Sequence, residues 1–215
     1  VELYDTEEEQ LDALKRWWKE NGQSAIFGLI AGIAIILGWN YWQELQKDQA
    51  GRASALYEQL LKAAASEQKD SANKLAEKLQ EQFGSTEYAA YGGLLQAKIK
   101  VQQGDLKAAK PILEKLAASS NREISNLAKI RLVRIMMANK EFEPALQLVN
   151  DIDPASIANF SGNYDELVGD LYVALDRLDQ ARTSYQKAIE NGYKSPLLQL
   201  KMDDLTAPEK IEKSK

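Results

Sequence analysis

The charge pattern of this chain divides sharply. From Asn21 to Gln43 no charged residue occurs in 23 positions, and Ala25 to Gly38 is apolar or glycine throughout. At 1.5 Å per helical residue the block spans roughly 34 Å, enough to cross a hydrocarbon core of about 30 Å. Trp17 and Trp18 precede it, and Trp39, Tyr41 and Trp42 close it. Amphipathic rings settle at headgroup depth, so both borders of a transmembrane helix over 21–43 are marked. The segment ends in bulky Gly-Trp-Asn-Tyr-Trp rather than small residues, so it is expected to stay attached as an anchor.

Beyond Glu44 the pattern changes to helical spacing of Ala and Leu among Lys, Glu and Gln. It predicts helices over 49–67, 71–83, 87–103, 106–118, 123–138, 142–150, 164–175 and 178–191. Short connections carry the expected breakers, among them Gly84, Gly104-Asp105, Asn139-Lys140 and Gly192. The connections also recur. Ala109, Ala145 and Ala181 occupy the same place in three aligned segments and lie 36 residues apart. A period in the mid-thirties with two helices per unit marks a helical repeat array. The small residue opening each second helix lets it cross close to the first. The expected fold is therefore all-α: one transmembrane helix, then a tetratricopeptide-like α-solenoid with units at about 87–120, 123–156 and 159–192.

The last unit fits the tetratricopeptide pattern best, with Gly169, Tyr172, Ala181, Tyr185 and Ala188 at its spacings. The middle unit departs from it at Val133. Residues 49–83 read as an adapter or a further repeat, and 151–163 as a spacer or an insertion on a working face.

Charge sets orientation and narrows function. Residues 1–20 hold 3 basic and 7 acidic side chains, a charge of -4 out of -5 for the whole chain. Lys15, Arg16 and Lys19 lie next to the apolar block, whereas Lys47 and Arg52 follow at a greater distance. The positive-inside rule then makes 1–20 a cytoplasmic acidic segment and translocates 44–215. The near-neutral remainder has no footprint for nucleic acid. The block carries no ionisable residue, which argues against an ion path through it alone. Ser24, Gly28 and Gly32 recur every four positions, a face where another transmembrane helix could approach closely.

Cysteine and histidine are absent. Their absence removes disulfides, thiolate nucleophiles, soft-metal sites and the usual general base. No cofactor is expected. The pairs Asp151/Asp153 and Asp203/Asp204 read as solvated charges, the first beside Pro154 and the second in a polar tail. Tyr91-Gly-Gly-Leu lacks the Lys and Ser/Thr of a phosphate cradle. Two function classes remain: a membrane-tethered binding module, or a cell-envelope hydrolase using a Ser–Lys site. A polar cleft holding a Lys of depressed pKa would favour the second.

The run Leu3-Tyr4, then acidic residues, then Leu11-Asp-Ala-Leu-Lys-Arg-Trp-Trp-Lys-Glu-Asn-Gly22 and the anchor closing Gly38-Trp-Asn-Tyr-Trp42 resembles the YfgM family. These are single-pass inner-membrane proteins of Gram-negative bacteria, ancillary subunits of the Sec translocon. An initiating methionine is expected ahead of Val1. The resemblance implies association with the SecYEG channel and the periplasmic chaperone PpiD, and contact with unfolded translocated proteins. It also implies a link through residues 5–12 to a cytoplasmic stress-response regulator. Family register places Tyr91, Leu94, Lys98, Leu127, Ile130, Arg134, Asn163, Glu166 and Asp170 on a concave, protein-binding groove. Lys98, Arg134 and Asp170 are the expected markers of open surface, because unpaired charges are costly to bury. Ala109, Ala145, Gly169, Ala181 and Ala188 are the expected repeat-packing positions.

Overall fold

The computed structural model describes residues 7–205, with the side chains of 7–9 and Ala158 left aside. The first part of the acidic segment, 1–6, and the end of the carboxy-terminal domain, 206–215, lie outside the described residues. Among the described residues the chain is helical without strands. The helices are α1 (Glu7–Ala65), α2 (Lys69–Phe83), α3 (Glu87–Gln102), α4 (Leu106–Ala117), α5 (Arg122–Ala138), α6 (Phe142–Asn150), α7 (Pro154–Ile157), α8 (Ser161–Ala174), α9 (Leu178–Glu190) and α10 (Pro196–Asp204). A 3-10 turn, Ala158–Phe160, joins α7 to α8.

Two compact units divide the chain, Val1–Arg52 and Ala53–Lys215, so residues 44–52 fall in the first. The expected span and the helix expected from 49 are one continuous helix, α1. A lone Gly51 does not break it, since glycine inside a helix costs only about 1 kcal/mol relative to Ala. Among the described residues one helix is long and apolar enough to cross a membrane, and its most apolar 18-residue stretch has mean hydropathy 1.8 and is almost wholly exposed. Ile26, Phe27, Leu29, Ile33, Ile36 and Leu37 are all exposed. Exposed apolar side chains of this density mark a surface that lipid or other helices cover.

In the second unit helices pair and the pairs stack. Ala53, Leu56, Leu60 and Ala63 of α1 share a core with Ala72, Ala76 and Leu79 of α2 and with Ala89 and Ile99 of α3. Residues 53–83 thus share one core with α3, ahead of α3/α4, α5/α6 and α8/α9. A larger core joins α3 through α8, and a third joins α9 to α10 through Ala181, Tyr185, Ala188, Leu198 and Leu205.

Polar contacts repeat along the stack at about one repeat length. Glu87 accepts from Asn121 Nδ2 (3.2 Å), the Leu94 carbonyl from Arg131 Nη1 (3.0 Å), and Glu143 from Arg177 across a salt bridge of 2.5 Å. Turns between paired helices use left-handed residues, Gly104 (φ 78) and Lys140 (φ 60). Asp105 caps α4 by accepting from Ala108 N, and Asn121 caps α5 by accepting from Glu123 N and Ile124 N.

The 151–163 segment is pinned to α5. Asn126 Nδ2 donates to the Ser156 carbonyl (2.9 Å), while the buried Tyr164 hydroxyl donates to Asn126 Oδ1 (2.9 Å). Burial pushes the Tyr164 hydroxyl pKa up, so it remains a proton donor at ordinary pH. Asp153 accepts from Ala155 N (3.0 Å), the geometry of a helix start.

Asp203 and Asp204 require a correction. They are the last turn of α10 rather than a polar tail, and Gln199 Nε2 donates to Asp203 (2.9 Å). The missed signal was Ser195-Pro196 ahead of Leu197-Leu198, with proline at the first helical turn.

Candidate partner-binding surface

Helices α3, α5 and α8 are the first members of their pairs and carry the nine expected groove residues. Tyr91 is exposed on α3, its ring 6.4 Å from that of Tyr57. Lys98 and Arg134 are exposed as well, and Leu127 and Asn163 are half-buried.

The other four differ from an open groove. Leu94 and Ile130 are buried in the large core, and Glu166 is only 6 % exposed. Each first helix is clamped between the second helices of two neighbouring pairs, so only a narrow stripe of it faces out. Asp170, expected to mark open surface, instead accepts from Lys201 Nζ (2.8 Å) and from the Tyr185 hydroxyl (2.7 Å). Lys201 also donates to Glu166 (3.0 Å). The third unit's share of the face is therefore covered by α10, the helix the sequence reading passed over.

Tyr185 and Lys201 show the strength of this cluster. Burial, then the Asp170 hydrogen bond, pushes the Tyr185 hydroxyl far above its ordinary range. Burial is the largest single influence on Lys201 and lowers its pKa. The combined hydrogen bonds and charges of Asp170 and Glu166 outweigh it and leave the pKa raised. A nucleophilic lysine needs the opposite shift.

The first two units keep an open cleft. Val101, Leu106, Leu113, Ile135 and Ala138 form its apolar floor, with Lys98, Arg131 and Arg134 at its rim and a volume of about 420 Å³. The structure thus brings Lys98 and Arg134 to one cleft and adds Arg131, which the register did not single out. Arg131 is half-buried and pinned to α3 through the Leu94 carbonyl. Burial, and then the adjacent Arg134 charge, lowers its pKa. Among the described residues no carboxylate lines this cleft. A second cleft of about 500 Å³ shares Lys98 and Gln102 and continues to Leu61, Glu67 and Lys69.

The packing positions are tight. Ala109, Ala145, Ala181 and Ala188 expose no surface. A Cβ on Gly169 would run into the Tyr185 ring, and one on Gly92 would stand 2.6 Å from Leu79 Cδ2. In α1, by contrast, a Cβ on Gly28 or Gly32 would meet nothing within 4 Å, and Ser24 beside them is exposed. Trp17 and Trp18 lie 6.4 Å apart, Trp39 and Trp42 5.3 Å apart, and all four with Tyr41 are at least half exposed.

Residues 15–207 match the tetratricopeptide repeat-like domain family. A Haemophilus influenzae protein named ancillary SecYEG translocon subunit is 32 % identical over 193 residues, 88 % of this chain and 92 % of its own. The chain belongs to this family of translocon subunits. A second translocon subunit, from Aggregatibacter actinomycetemcomitans, is 30 % identical over 202 residues, 93 % of this chain and 97 % of the relative. The Escherichia coli translocon subunit is 28 % identical over 210 residues, 96 % and 100 % of the two chains. Relatives so named, built on a noncatalytic repeat fold, set the hydrolase alternative aside: the chain is not an enzyme.

Proposed function

We propose that this chain is a single-pass adaptor of the bacterial inner membrane that works at the SecYEG translocon. Its acidic amino terminus lies in the cytoplasm and its helical array in the periplasm. There the array holds a PpiD-type chaperone or segments of newly translocated proteins. The amino-terminal segment serves the link to a stress-response regulator. One observation carries the reading: a bare apolar helix and a stacked helical array with an open cleft occur in one chain, in a family whose members are named ancillary SecYEG translocon subunits. Tethering raises the array's effective concentration at the channel exit, so weak contacts suffice.

Orientation rests on Lys15, Arg16 and Lys19. A phosphatase reporter active only after translocation should work when fused after Lys215 and stay silent when fused before Val1. The reverse pattern would overturn the periplasmic placement.

For the membrane contact, the open face at Gly28 and Gly32 supports close approach by a channel helix. Replacing both with Leu should leave insertion intact, since Leu is more apolar, and should reduce recovery of the channel in detergent pull-downs by on the order of tenfold. Unchanged recovery would move the contact elsewhere on the chain.

A further inference from the structure

The cleft between α3 and α5 is apolar on its floor and cationic on its rim, with no carboxylate among the described residues that line it. Lys98, Arg134 and Asp170 lie 36 residues apart at equivalent positions of three units. In the third unit the charge at that position is matched internally: Lys201 comes within 2.7 Å of Asp170 and 3.0 Å of Glu166. In the first two units the charge is positive, and among the described residues neither Lys98 nor Arg134 makes an ion pair. Burial and then the like charge of Arg134 beside it disfavour the charged form of Arg131. Two guanidinium groups and an ammonium beside a low-dielectric floor attract an anion strongly, because the apolar wall reduces screening.

We infer that this cleft is the docking site for an acidic, apolar polypeptide segment. One of its carboxylates sits between Lys98 and Arg134, and a neighbouring apolar side chain rests on Val101, Leu113 and Ile135. The inference rests on the adaptor reading and names the chemistry of what the array holds. The occupant is an extended stretch or helix end with acidic and large apolar residues adjacent. Basic segments are excluded by the rim, and neutral apolar ones gain only the floor. The neighbouring cleft, reached past Lys98 and Gln102, extends the path toward Glu67 and Lys69, where the charge is mixed. Selectivity for carboxylates is therefore concentrated at the α3–α5 cleft.

The test uses the full chain in nanodiscs and fluorescence anisotropy with three short labelled peptides, in which leucine alternates with glutamate, glutamine or lysine. The glutamate peptide should bind on the order of tenfold tighter than the glutamine peptide, with the advantage shrinking as salt rises. The double variant Lys98→Gln, Arg134→Gln should erase that advantage. The double reversal Lys98→Glu, Arg134→Glu should transfer the preference to the lysine peptide, a gain that misfolding cannot produce. Equal binding of glutamate and glutamine peptides, or a preference that survives both variants, overturns the inference. A dependence on Lys98 and Arg134 seen only with phosphatidylglycerol in the nanodisc would make this a lipid-headgroup site and overturn it too. A parallel pull-down of SecYEG by the wild-type chain separates the two readings. Retained channel without glutamate preference defeats only the cleft assignment, whereas loss of the channel defeats the adaptor reading.

Discussion

Replacing Gly169 with Leu should lower the stability of the helical array by about 3–5 kcal/mol, the largest effect of any single substitution proposed for this chain. Gly169 lies within α8 and faces Tyr185 of α9, whose ring is almost fully buried. The ring has no free direction in which to yield. Its hydroxyl donates to Asp170 Oδ1 at 2.7 Å, and Lys201 Nζ stands 5.8 Å from its centroid. Helix propensity works the other way, since glycine costs about 1 kcal/mol relative to Ala. Even Gly169→Ala should therefore destabilise, because overpacking of roughly 1–3 kcal/mol exceeds the propensity gain. Gly51 supplies the contrast: a Cβ there meets nothing within 4 Å, so Gly51→Ala should be neutral or slightly stabilising. Urea denaturation followed by circular dichroism reads all three. An unchanged midpoint for Gly169→Leu would show that α8 and α9 do not pack as described.

Removing the charge of Lys201 should have the next largest effect. Lys201→Met leaves Glu166, which is 6 % exposed, and Asp170 side by side without a cation. Breaking a buried pair by deleting one partner costs about 3–5 kcal/mol. Lys201 keeps part of its surface in water, so about 2–3 kcal/mol is the expected loss. The combined change Lys201→Met, Glu166→Gln, Asp170→Asn should recover most of it, because no charge is then stranded. A single variant as stable as wild type would exclude the cluster as the fastening of α10.

The pH dependence has a definite sign. The Lys201 pKa in the folded chain lies above its ordinary 10.5. Its contribution is full below 10.5 and is lost as pH rises through the folded value. Wild type and Lys201→Met should therefore differ by a constant amount at neutral pH and converge in strong alkali. At the other end, the Lys110 hydrogen bond and then that of Asn139 hold Glu141 below its usual carboxylate range. Stability from that pair is present above the ordinary 4.5 and fades as pH falls through the lower folded value.

Local periodicity is written in neighbouring residues, and it carried most of the architecture. The uncharged block flanked by tryptophans identified the helix that is long and apolar enough to cross a membrane, because a bilayer demands an unbroken apolar length. Alanines 36 residues apart, with glycine and Asn-Lys turns between, identified paired helices, because each pair must cross closely at a small side chain. The tertiary structure decided which side of each first helix stays open. Leu94 and Ile130 lie on the same helices as Lys98 and Arg134, yet they are buried in the large core, and Glu166 is buried against Lys201 of α10. It also decided that α10 covers the third unit and that Arg131 joins the rim of the open cleft. Those outcomes depend on contacts between residues 31 to 37 positions apart, such as Lys201 with Asp170 and Arg131 with Leu94, and no pattern within one helix encodes them.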